Sequence, residues 1–298
     1  MKAFTLMSVP FEPDAMKRAC CVVLLLSAVA AATDAKWVQK GLILDLDADK
    51  GVEIEDGDRV AKWTNQVTSF AARDFVKQDQ GRKTPGSGRP TLKRSVAALG
   101  GHNTMVFKRQ ELICHHEDAF DRLITGAGHT WLAVMCVYPQ VVQLKDVNSF
   151  FGNLRSGGKY EGLWGNVTDD NRVWIGSRNG ITFGRWDRNN PMVLAPEPLK
   201  ENRYAVVAGR MGAGTGEVTI EVFINDPKPA ASKPFPVNPA ANASKLAIGQ
   251  ERDATNHPGK EAFDGEIARF LMYERPLTDA EMRRMLDDLK KTYAIASD

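Results

Sequence analysis

The sequence predicts an all-β fold, a two-sheet antiparallel jelly-roll sandwich finished by a short C-terminal helix. Three observations point to it. From Gly41 onward, short apolar-rich runs alternate with clusters of Gly, Pro, Asn and Asp, the pattern of strands joined by turns. No internal repeat and no second composition boundary divides the chain. The last stretch, 262–293, reads as one strand, a sharp stop and a capped helix. The 298 residues are 43% hydrophobic, enough for a sizeable core. Sandwiches commonly run past about 200 residues as one unit.

In chain order, the first element is a leader over 1–35. Lys17 and Arg18 precede ACCVVLLLSAVAAA at 19–32, and small residues recur at Ala28, Ala30 and Ala32. A positive start, a short apolar core and an A-x-A site make a secretory signal peptide. The apolar run is too short to span a bilayer, so no stable membrane insertion is expected after cleavage. Residues 1–15 carry Pro10, Glu12, Pro13 and Asp14 and suit such a leader poorly, so translation is expected to start at Met16, or the leader is unusually long. Cleavage after Ala30, Ala32 or Ala35 leaves a jelly-roll domain over 37–298 that is secreted, periplasmic or on the cell surface. Cys20 and Cys21 leave with the leader. Cys114 and Cys136 remain, as one disulfide or as two buried thiols.

Strand candidates are 41–48, 59–66, 104–114, 130–138, 148–153, 160–165, 172–177, 181–186, 203–210, 217–224, 244–249 and 263–273. Residues 71–91 and 226–243 read as long surface loops. In the first strand Leu42, Leu44 and Leu46 share one face, and Asp45, Asp47 and Asp49 share the other. Those carboxylates, with Glu53, Glu55, Asp56 and Asp58 beyond, could gather oxygen ligands for calcium, Asp45 and Asp47 foremost. They could equally be a solvated acidic face. EIEDGD at 53–58 is bracketed by Gly51 and Gly57 and reads as a turn. His115 and His116 are adjacent, so on a strand they face opposite ways and do not share one ion. In 263–273 the alternation slips near Gly265 and Ala268, the mark of a bulge. Pro276 stops that strand. Thr278 and Glu281 have capping-box spacing, and Met282, Met285, Leu286, Leu289 and Tyr293 form one buried helical stripe.

The run FDGEIARFLMYERPLTDAE at 263–281, with AIGQ upstream, resembles the C-terminal signature of the laminin-G-like, concanavalin A-like lectin/glucanase superfamily. GLILDLDADKGVEIEDGDRVAKWTNQ at 41–66, GRPTL at 88–92, HTWLAVMCVY at 129–138 and ENRYAVVAGRM at 201–211 are similar to its other strands in the same order. The resemblance implies a concanavalin A-like sandwich with Trp63 and Trp131 in the core, and many members hold calcium at a loop rim. It leaves activity open, because lectins, adhesion modules, hydrolases and lyases share the fold. The laminarinase-like members carry E-x-D-x-x-E on a strand, which the turn at 53–58 does not match.

Function is expected from 150–190, where Tyr160, Trp164, Trp174 and Trp186 recur among Arg172, Arg178, Arg185 and Asp187. Aromatic faces stack on sugar rings while Arg and Asp bond hydroxyls. The bland reading of the same tryptophans is core packing. The expectation is an exported glycan-binding module with no covalent chemistry, its partner a polysaccharide or other glycan. The formal net charge of +2 gives no basic footprint for nucleic acid. Two rivals remain: a polysaccharide hydrolase or lyase, with Tyr160 beside Arg172 or Arg178 as a lyase pair, and a protein-binding adhesion module.

Overall fold

Period-two alternation sorts the side chains into two sheets that face each other across the core. The computed structural model describes residues 37–79, 82–84, 86–140, 147–155, 159–183, 186–251, 259 and 261–296. The leader expected over 1–35, with Met16, Cys20 and Cys21, lies outside them. From Val38 to Asp298 the chain forms one contact unit. Its strands are β1 (Leu42–Asp47), β2 (Val52–Ile54), β3 (Val60–Thr64), β4 (Asp74–Lys77), β5 (Thr91–Lys93), β6 (Thr104–Lys108), β7 (Leu112–Ile113), β8 (His129–Val137) and β9 (Asn148–Gly152). Then come β10 (Glu161–Val167), β11 (Arg172–Asn179), β12 (Val193–Pro198), β13 (Tyr204–Met211), β14 (Glu217–Ile224), β15 (Ala231–Pro236), β16 (Ala247–Ile248), β17 (Asp264–Tyr273) and helix α1 (Asp279–Thr292).

Sheet I has eight strands in the order β15-β14-β13-β8-β17-β6-β5, with β1 also on β17. Sheet II has nine, in the order β12-β11-β10-β9-β16-β7-β4-β3-β2. Every pairing between these strands is antiparallel. This is the all-β sandwich the sequence predicts.

The core lies between the inner faces. Trp131 of β8 is its centre, edge-on to Phe151 at 5.0 Å and Phe150 at 5.5 Å, and stacked on Phe270 at 6.4 Å. Gly209, opposite Trp131 in the register, leaves room for the indole, because a Cβ there would lie 2.5 Å from it. Trp63 is fully buried, its Nε1 donating to the Asp47 carbonyl at 2.9 Å. Aromatic side chains buried this way contribute about 2–3 kcal/mol each.

β17 runs through the middle of sheet I, paired with β8 on one side and with β6 and then β1 on the other. Its register against β8 shifts between Ile267 and Arg269, so the expected bulge is present. The shift lets Ile267 and Phe270, three positions apart, both reach the core. It also turns Arg269 away from the core, beside Tyr293. The predicted helix is present: Thr278 accepts from the Glu281 amide while Glu281 accepts from the Thr278 amide, a complete capping box. Met282, Met285, Leu286 and Leu289 form its buried face.

The structure differs from the expected strands where proline or a short run hid the pattern. β12 was not anticipated and β15 lies inside the expected loop 226–243; each carries two prolines, in the sequences VLAPEP and ASKPFP. Both are the edge strands of their sheets, where a missing N–H costs no ladder bond. β4 and part of β5 lie within the expected loop 71–91. The expected strand 104–114 breaks into β6 and β7, which belong to different sheets, around Arg109 at φ 57°. The described residues of 181–186 form no strand at all. Cys114 and Cys136 are buried free thiols. Cys114 faces the core, whereas Cys136 points out of sheet I beside Glu266.

Candidate functional site

On β10 and β11 the inward residues are Leu163, Val167, Val173 and Ile175. Alternation therefore sends Trp164, Trp174, Gly176 and Arg178 to the outer face of sheet II. There Trp164 and Trp174 meet edge to face at 5.8 Å and, with Val147 and Leu154, form a small apolar cluster separate from the core. Gly176, paired with Trp164, is the residue on which that indole rests: a Cβ would lie 2.8 Å from Trp164 Cζ2. A cavity of about 230 Å³ opens over this floor, lined also by Tyr160, Arg178, Phe183, Trp186, Asn190, Pro191, Glu251 and Glu261.

The loop between β11 and β12 makes the lip. Ile181, Phe183 and Trp186 are 42%, 64% and 52% exposed, the large apolar side chains most open to solvent among the described residues. The lip is a built structure. Asp187 accepts from the Thr182 hydroxyl and from the amides of Asn189 and Asn190, all at 2.9 Å. Desolvation raises the Asp187 carboxyl, but these hydrogen bonds outweigh it and hold the group below its ordinary value. Asn179 at the end of β11 donates to Pro236 O at 2.8 Å and accepts from the Ile181 amide at 2.9 Å, anchoring the loop to the neighbouring edge strand. Phe183 leans on Tyr160 at 5.3 Å. The Arg178 guanidinium lies over the Tyr160 ring at 4.8 Å and donates to Phe183 O at 3.1 Å.

Three residues lining the cavity hold left-handed backbone: Tyr160 at φ 60°, Trp186 at φ 59° and Glu261 at φ 56°. A bulky L-residue there costs about 1–2 kcal/mol, and such strain gathers at functional sites. Glu251 and Glu261, 6% and 7% exposed, were not singled out by sequence reasoning. Gln250 and Ala262 form an antiparallel bridge, which sets Glu251 and Glu261 opposite each other. Their carbonyls accept from Leu154 N at 3.1 Å and Ser149 N at 3.2 Å, fixing both to β9 and the residues that follow it. Two glutamates ten positions apart offer no spacing signal in the sequence.

Of the expected site residues, Tyr160, Trp164, Trp174, Arg178 and Trp186 come together here. Trp164 and Trp174 are 5% and 1% exposed, so they form the floor, while Trp186 is 52% exposed at the lip. Asp187 organises the lip and is not on the cavity wall. Arg172 is at the far end of β11, bonded to Asp170 at 2.9 Å, about 20 Å along the strand from Arg178. Of the two arginines considered for Tyr160, Arg178 is its partner. Arg185 lies outside the described residues.

For Asp45 and Asp47, expected as calcium ligands, the structure shows a different partner. Arg269 holds Asp45 through two bonds of 2.8 and 2.6 Å and Asp47 through one of 2.8 Å, all buried. A guanidinium thus occupies the place a metal ion would take, with the bidentate geometry it favours. Among the described residues no group of three or more His, Cys, Asp or Glu is placed to hold a metal. The acids of 53–58, expected in a turn, begin in strand β2 and are likewise committed: Glu53 pairs with Lys62, Glu55 with Lys77 and Arg89, and Asp58 with Arg94. On the outer face of sheet I, Glu266 accepts from Tyr138, Tyr204 and Lys93. Burial and the neighbouring carboxylate push both phenols upward, so neither is a ready base.

No protein-family model matches the chain, and no curated protein is similar to it. Solved structures are. The fourth domain of an extracellular arabinanase from Geobacillus stearothermophilus, in complex with arabinotriose, is 15% identical over 82% of this chain and 97% of that one, with a TM-score of 0.51. The binding domain of Paraclostridial Mosquitocidal Protein 1 is 12% identical over 83% of this chain and 52% of that one, at 0.52. Trypanosoma rangeli sialidase in complex with sialic acid is 14% identical over 95% of this chain and 40% of that one, at 0.51. At these identities the likeness is one of fold alone, the two-sheet antiparallel β-sandwich. Among the described residues no helix is long and apolar enough to cross a membrane.

Proposed function

We propose that this sandwich is an exported glycan-binding module that holds a sugar in the outer-face cavity of sheet II and carries out no covalent chemistry on it. The observation that carries the reading is the strained aromatic rim. Tyr160 and Trp186 keep left-handed backbone around a cavity floored by two more tryptophans. Such a cost persists only where the surroundings enforce it, and an exposed indole beside a polar-edged cavity is what stacking on a sugar ring requires. The arabinanase domain of the same fold, in complex with arabinotriose, supports a glycan as the class of ligand. Arg178 and Asn190 are the described polar side chains beside the aromatics that would bond hydroxyls, with Arg185 proposed to join them. The leader over 1–35 would direct the domain out of the cell, and N-terminal sequencing of the exported protein would find a start between Ala31 and Lys36.

The test is retention of the protein from Lys36 onward on immobilised neutral, sulfated and uronic polysaccharides, with and without a calcium chelator, scoring released reducing or unsaturated ends alongside. Retention without product is expected. Trp186→Ala should weaken it at least tenfold with an unchanged circular dichroism spectrum, and chelation should leave it untouched because Arg269 fills the acidic site. Product release would overturn the reading in favour of an enzyme. The exposure of Ile181, Phe183 and Trp186 together also fits a protein-binding adhesion surface. In that case no polysaccharide would retain the protein.

A further inference from the structure

The floor of the sheet II cavity is a poor fit for a bare sugar ring. Val147, Leu154, Trp164 and Trp174 line it as an apolar cluster of their own. A sugar ring carries hydroxyl groups around its edge, each a donor and an acceptor. Bringing them down to an apolar floor costs free energy wherever no partner meets them. The cavity of about 230 Å³ is also smaller than the roughly 300–1,000 Å³ of clefts that enclose a whole ligand. Its size and floor suit one substituent of a sugar, with the ring itself at the lip on the 52% exposed indole of Trp186.

A polar group interrupts that floor. Trp164 is 5% exposed, and its indole N–H is buried with no acceptor among the described residues. Buried indole N–H groups usually have a partner, so one without calls for an explanation. Its position is set by Gly176, the cross-strand neighbour of Trp164. A Cβ on Gly176 would lie 2.8 Å from Trp164 Cζ2, 3.1 Å from Cε2, the carbon that bears Nε1, and 3.4 Å from the Pro191 carbonyl oxygen. The N–H edge is thus on the Gly176 side of the floor, next to Pro191 of the cavity wall. The floor offers a donor in apolar surroundings, and its complement is an acceptor with an apolar neighbour.

Resting on the glycan reading, we infer that the cavity receives an acetyl group carried by the sugar, attached through nitrogen or oxygen. The acetyl oxygen accepts from the Trp164 N–H and the methyl packs on Val147 and Leu154, while the ring stays on Trp186. An acetyl group joins a methyl to a carbonyl oxygen, the two features this floor matches. An ammonium group in its place sets donor against donor, and a hydroxyl leaves the apolar floor unfilled.

The experiment compares matched pairs by titration, followed through tryptophan fluorescence and calorimetry, on the protein from Lys36 onward. Oligomers of N-acetylglucosamine and of N-acetylgalactosamine are set against the corresponding amino-sugar and plain hexose oligomers. Acetylated xylan oligomers are set against the same material after alkaline deacetylation. At least one acetylated member should bind about tenfold more tightly than its partners, and the pair that responds names the linkage. Trp164→Phe, checked for an unchanged melting temperature, keeps an aromatic floor without the N–H. It should bring acetylated and unacetylated partners to within about threefold of each other, whereas a merely damaged floor weakens both alike and keeps the preference. The wild-type comparison needs no variant to fold. Unacetylated sugars that bind as well as the acetylated ones, or in place of them, overturn this inference while leaving glycan binding intact. A folded Trp164→Phe protein that keeps the full acetyl preference does the same. Failure of every sugar to bind, here and on the polysaccharide panel, overturns both readings.

Discussion

Trp186 is 52% exposed and its backbone is left-handed. Glycine takes that conformation without penalty. Trp186→Gly should therefore leave the melting temperature unchanged or raise it by about 2–4 °C, the scale set by roughly 1 kcal/mol in a domain of this size. The same variant should lose glycan retention. A residue that improves stability when removed and abolishes binding is held by function, and a calorimetric scan beside a retention assay separates the two. A large drop in melting temperature would mean that the indole is a structural part of the rim. At this scale the sequence was partly legible. It named the aromatic stretch, because indole and phenol groups in a polar run carry recognisable chemistry. It could not tell floor from lip, since Trp164 and Trp174 point outward only through a register that their mixed neighbours leave undecided. Glu251 and Glu261 were invisible because what makes them special is a cross-strand bridge.

The capping box of α1 was the most legible element, being local in sequence. Arg275 bonds both Glu281 oxygens, at 2.8 and 2.7 Å, and that pairing, aided by the Thr278 amide, takes the Glu281 carboxyl down to about 2. The folded protein therefore binds fewer protons here than the unfolded chain, whose glutamate titrates near 4.5. The stabilisation is complete above that value and is lost as pH falls from about 4.5 through 2. Glu281→Gln, which can still close the box, should make acid unfolding in that window shallower. Thr278→Ala should cost about 1 kcal/mol at neutral pH, read as a lower denaturation midpoint. The elements that escaped notice, β12 and β15, carry the prolines that argue against a strand everywhere except at an edge. Edge position is decided by the assembled sheets. Asp45 and Asp47 invited a metal for the same reason: their true partner, Arg269, is more than two hundred positions away.

Viewed as one molecule, the sandwich has no inviting edge. Sheet I ends on three-residue β5, on proline-bearing β15 and on β1, whose side away from β17 is bonded by Asn65 and Gln66, and sheet II ends on three-residue β2 and proline-bearing β12. Short or proline-blocked edges discourage strand addition by another chain. Among the described residues the layers are also held without a covalent link. Cys114 belongs to the core and Cys136 to the outer surface of sheet I, where burial drives its thiol up to about 12. At that value almost no thiolate forms at neutral pH, so neither attack on a disulfide nor air oxidation is fast. Melting curves with and without dithiothreitol should superimpose, and a fall in midpoint on reduction would show a hidden cross-link. Folding of this domain is thus indifferent to the oxidant supply of the compartment in which it is made: a reducing bacterial cytoplasm and an oxidising exterior should yield the same molecule, with no isomerase required.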